Sequence, residues 1–69
     1  MGVNKNMLKS ERVYRGLKQE DMAILIGCSI PAYNQKENGK RAFSVEEITI
    51  ISSYFNLSGE KIRTIFFDN

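Results

Sequence analysis

Gln19-Glu20-Asp21-Met22-Ala23, Gly27-Cys28-Ser29 and Glu37-Asn38-Gly39-Lys40-Arg41 are the three stretches that decide how this chain folds. The first opens a short run in which Met22, Ala23 and Ile26 lie three and four residues apart and so share one helical face. Gly27 ends that run, because glycine enters the left-handed conformation without a Cβ clash. Ser29 supplies an N-cap for the next run, and Pro31 falls in its first turn, where a missing N–H costs little. The second run should continue to about Asn38, with Gly39 as its stop. Two short helices around a tight turn result, the second offered outward.

The flanking sequence is helical on the same grounds. A helix from about Asn4 to Arg15 turns Leu8 inward and stops at Gly16, after which Leu17 tucks under the turn. Ser44 and Glu47 form a capping box for a fourth helix carrying Ile48, Ile51 and Phe55 inward. Ser58 caps a fifth, with Ile62, Ile65 and Phe66 as its apolar stripe and Gly59 weakening its first turn. No stretch alternates apolar and polar residues long enough for a strand. The expectation is an all-α, compact bundle of about five short helices forming one domain over residues 1–69, with its core over about 8–66.

A domain of 69 residues buries only about 60% of the surface its unfolded chain exposes, so helical apolar stripes have to supply nearly all its stability. The single Cys28 rules out an intrachain disulfide, and without His or a Cys pair no metal site and no cofactor are expected. No apolar run is long enough to cross a bilayer, and Met1 to Lys9 lacks a leader's apolar centre. A soluble, cytoplasmic protein in a reducing compartment is expected, with no membrane partner.

Net charge is only +2, but it is unevenly spread. Through Arg41 eight basic residues face four acidic ones, for +4; from Ala42 onward two face four, for −2. The first part suits a polyanion and the second does not.

Arg12, Gly16-Leu17, Gln19, Ala23, Gly27-Cys28-Ser29 and Glu37-Asn38-Gly39-Lys40-Arg41, followed by Ile48, Ile51, Phe55 and Leu57, resemble the lambda-repressor-like (Cro/C1-type) helix-turn-helix proteins, which include phage repressors and small bacterial regulators. The resemblance spans roughly Leu8 to Phe66; its marks are specific together and weak singly. It implies that Gln19 holds a DNA phosphate through its side chain and N–H, at a helix N-terminus whose dipole favours an anion. It places base reading on Ile30, Pro31, Asn34 and Gln35. Gln35 suits a bidentate contact to adenine, Ile30 a thymine methyl, and Asn34 either a base edge or a phosphate. Asn38, Lys40 and Arg41 match a second phosphate clamp, made from loop N–H groups and basic side chains. Arg12 and Glu37 are implied to form a partly buried ion pair between the first and third helices.

Several positions depart from the family's habit. Lys18 stands where Ser or Thr usually caps the second helix, and Tyr33 replaces an aliphatic residue. Lys36 stands where an apolar residue usually packs, and is expected to bury only its stem. Ile30-Pro31-Ala32 offers fewer hydrogen-bonding groups than the usual start of a reading helix. Cys28, in the turn, reads as a small hydrophobe. Phe67 and Ile50 are left over from the core and form a possible dimer contact.

The leading reading is a sequence-specific double-stranded DNA-binding transcriptional regulator, a small phage- or mobile-element-type repressor. It would act as a homodimer on a pseudo-palindromic operator, with half-sites about 34 Å apart. The alternative keeps the fold as a protein-interaction module, an antirepressor or antitoxin-like subunit, and the apolar Ile30-Pro31-Ala32 start keeps it open. An enzyme with a small-molecule substrate is not expected: there is no His, no Gly-rich phosphate loop, and the acids are spread over exposed faces.

Overall fold

Asn4, Ser29, Ser44 and Ser58 each accept a hydrogen bond from the backbone N–H three residues on, at 3.1–3.2 Å. A helix starts after each of them. The structure, a computed structural model describing residues 2–67, runs α1 (Lys5–Tyr14), α2 (Gln19–Ile26), α3 (Ile30–Glu37), α4 (Val45–Phe55) and α5 (Gly59–Ile62), closed by a π-helical turn over Arg63–Phe67. It is all-helical among the described residues, as the spacing of caps and apolar residues predicts. Lys18 provides α2 with no side-chain acceptor; instead Asp21 folds back and accepts from the Lys18 N–H at 2.8 Å.

The ends of the two central helices use the left-handed conformation. Gly27, at φ 76°, lets the Cys28 N–H reach the Ala23 carbonyl at 2.9 Å. Gly39, at φ 80°, lets the Lys40 and Arg41 N–H groups both turn back to the Gln35 carbonyl, at 2.8 and 3.2 Å. Those bonds satisfy carbonyls that the helix itself leaves open.

Leu8, Met22, Ala23, Tyr33, Ile48, Ile51, Phe55, Ile65 and Phe66 form one core. Cys28 is half-buried at its edge. The expected fifth helix is shorter than its apolar stripe: after Ile62 the chain widens to i→i+5 winding. Through that turn both Ile65 and Phe66 are buried, while Phe67 stays 43% exposed. The Ile65 carbonyl accepts from the Asn4 N–H at 2.6 Å, tying the last turn to the start of α1.

Two cross-chain contacts complete the frame. Arg15 donates to the Phe55 carbonyl at 2.8 Å and lies 4.2 Å over the Phe55 ring, so a cation from α1 closes the C-terminal end of α4. Lys36 corrects the expectation that only its stem is buried. The whole residue is only 9% exposed, and its Nζ sits 2.6 Å from Glu47 Oε1. A buried ammonium needs a partner, and the α4 capping residue supplies it, linking α3 to α4.

Candidate nucleic-acid interface

Glu37, at the last turn of α3, is buried with both carboxylate oxygens occupied. Arg12 donates to it from Nε at 2.8 Å and from Nη2 at 3.2 Å, Tyr33 from its hydroxyl at 2.8 Å, and Gln19 from Nε2 at 3.1 Å. Arg12 also donates to the Leu17 carbonyl at 2.9 Å, fixing the loop before α2. This buried cluster therefore joins α1, α2 and α3. It also explains Tyr33, whose ring fills an aliphatic position in the core while its hydroxyl reaches Glu37 four residues on.

Gln19 continues the cluster to the surface. Its Oε1 accepts from Asn34 Nδ2 at 3.2 Å. The side chain expected to hold a phosphate is partly engaged within the protein: the amide spans Glu37 and Asn34, which leaves one amide N–H and the backbone N–H for a ligand. The N–H groups of the first turn of α2 have no acceptor from the Lys18 side chain, so they stay available to a ligand.

Ile30, Pro31, Asn34 and Gln35 are all exposed, and with the exposed Asn38 just past the helix end they make up the outer face of α3. Ile30, Asn34 and Asn38 stand one above another at four-residue spacing, with Asn38 Nδ2 donating to the Asn34 carbonyl at 2.9 Å. The loop beyond departs from the expected clamp in one respect. The N–H groups of Asn38, Gly39, Lys40 and Arg41 all bond to α3 carbonyls, so only side chains remain for a ligand. Those side chains are open: Arg12, Arg15, Lys36 and Lys61 are the cations in ion pairs among the described residues, and Lys18, Lys40 and Arg41 lie outside those pairs, with Lys40 and Arg41 exposed. Glu20 and Asp21 put opposing charge on the first turn of α2.

The two residues assigned to a dimer contact are both partly exposed. Phe67 lines a shallow groove with Val45, Thr49, Leu57 and Ile62. Ile50, 40% exposed, is not part of that groove.

Burial alone would raise the Glu37 pKa, but the donors from Arg12, Gln19 and Tyr33 outweigh it and hold the group below the ordinary 4.5. Burial likewise opposes, and Lys36 and Ser44 overcome, at Glu47. Hydrogen bonds from Arg15 and Lys61 lower Glu11. A carboxylate with a depressed native pKa stabilises the fold above its unfolded value, and that stability is lost as pH falls through the native value. The thermal midpoint is therefore expected to be level at and just above about pH 5 and to fall steadily toward about pH 3. A flat midpoint across that window would show that these three groups are not held as ion pairs in solution.

Two helices crossed at a tight turn, the second with an open polar face and a basic loop beyond it, define a helix-turn-helix module. The helix-turn-helix family model matches residues 8–62, most of the chain, and the chain belongs to that family, the Cro/C1-type DNA-binding regulators. Neither the search of curated proteins nor that of solved structures returned a significant match. Among the described residues no helix is long and apolar enough to cross a membrane.

Proposed function

We propose that this chain is a sequence-specific double-stranded DNA-binding transcriptional regulator, a small repressor that acts as a dimer on a two-fold operator. The observation that carries the reading is the open face of α3, flanked by the uncapped start of α2 at Gln19 and by the exposed Lys40 and Arg41. Gln19, Asn38, Lys40 and Arg41 hold phosphates, while Ile30, Pro31, Asn34 and Gln35 face base edges. Phosphate contacts fix register and base contacts choose sequence.

Selection from a random duplex library at near-physiological salt tests it. The expected result is a short, roughly palindromic motif, bound with a log–log salt slope of about −4 if each subunit of a dimer neutralises two phosphates. A motif without two-fold symmetry removes the dimer. No motif, with only weak salt-labile binding, favours the protein-interaction reading, which the exposed Ile30 and Pro31 and the acidic Glu20 and Asp21 support.

A further inference from the structure

Of the four side chains on α3 assigned to base reading, Asn34 is the one held by a second residue. The hold has a fixed direction. Glu37, paired with Arg12, only accepts hydrogen bonds, so Gln19 must point its Nε2 toward it. The Gln19 Oε1 then faces α3, and Asn34 must answer with Nδ2. An amide normally free to flip is thus set in one orientation by a carboxylate two links away. Asn34 is left with Oδ1 and one N–H to present outward.

We infer that Asn34, oriented by Gln19 from the buried Arg12–Glu37 pair, is the specificity-determining reader of this protein and selects adenine. An acceptor beside a donor matches the N6 amino group and N7 of adenine in the major groove, a pairing no other base offers there. Preorganisation is the reason Asn34 outranks Gln35. Gln35 has one more torsion and its side chain has no partner among the described residues, so it loses more freedom on binding. The inference rests on the DNA-binding reading and narrows it to one residue and one base. Gln19 is a positioning residue here, touching phosphate on one side and setting the reader on the other.

The test repeats the library selection with Asn34→Ala, Gln19→Ala and Gln35→Ala, all at sites that are not part of the core, with thermal midpoints confirming that each folds. The expected result is one adenine per half-site whose preference falls about tenfold in Asn34→Ala and falls less in Gln19→Ala, whereas Gln35→Ala changes the preference at a different position. Replacing that adenine by 7-deazaadenine, which lacks the N7 acceptor, should weaken the wild type several-fold and leave Asn34→Ala unmoved; a general packing defect would not discriminate one ring atom. If the wild type selects a motif but its base preferences are the same in Asn34→Ala, or the position that changes is not adenine, this inference is overturned and the DNA-binding reading stands. If the wild type selects no motif, both fall.

Discussion

Glu37→Ala is expected to lower the stability of the fold by about 3–5 kcal/mol, the cost of leaving one member of a buried ion pair without its partner. The stranded group is Arg12, only 8% exposed, and the substitution also takes the acceptor from the Tyr33 hydroxyl and from Gln19. A domain of this size has a total stability of about 3–10 kcal/mol, so the variant sits near the limit of folding. Its thermal midpoint should drop by about 15–30 °C. Burying the pair at all is costly, so the double variant Arg12→Leu with Glu37→Leu should recover the part of the loss due to the stranded charge, while the buried Tyr33 hydroxyl still lacks its acceptor. DNA affinity per folded molecule should fall far less than stability, because neither residue faces outward, while the adenine preference set through Gln19 should weaken. An unchanged midpoint in Glu37→Ala, measured by circular dichroism, would dispose of the claim that this pair holds the three helices together.

What the sequence made legible here divides along a physical line. Helix starts and stops are local events, decided by a side-chain oxygen three residues from an N–H or by a glycine at positive φ, and Ser29, Ser44, Ser58, Gly27 and Gly39 all show them within a few residues. Inward faces are equally local, since three- and four-residue spacing alone puts Leu8, Met22, Ile48, Ile51 and Phe55 on buried stripes. What crosses between helices has no such spacing. Nothing within α3 says that Lys36 will meet Glu47, eleven positions on, or that Arg15 will reach the carbonyl of Phe55, forty positions on. The candidate site follows the same division. Its outer face on α3 was legible from the turn and the caps, whereas the use of the Gln19 amide depends on where Glu37 and Asn34 arrive in space. Tyr33 lies between the two cases: its four-residue offset from Glu37 was a readable hydrogen-bond signal, and it accounts for a tyrosine in an aliphatic position.

Lys40→Ala combined with Arg41→Ala is expected to remove the largest share of DNA affinity while leaving the fold intact. The loop performs two separable jobs. Its backbone caps α3 through N–H bonds to the Gln35 carbonyl, and these survive truncation of the side chains. Neither side chain takes part in an ion pair among the described residues, so removing them should leave the stability within about 0.5 kcal/mol of wild type. A cation that neutralises one phosphate strengthens binding by about eightfold at 0.1 M salt relative to 1 M, so without both side chains affinity should fall by about sixtyfold per subunit, with the salt slope shallower by about two per subunit and so by about four for the dimer. Because phosphate contacts carry no sequence information, the selected motif itself should not change, in contrast to the Asn34 variant. Affinity against salt concentration, measured by fluorescence anisotropy on the selected duplex, decides the matter. A variant that keeps the wild-type slope would confine this loop to ending α3 and would move the source of phosphate binding to Gln19 and Lys18 at the start of α2.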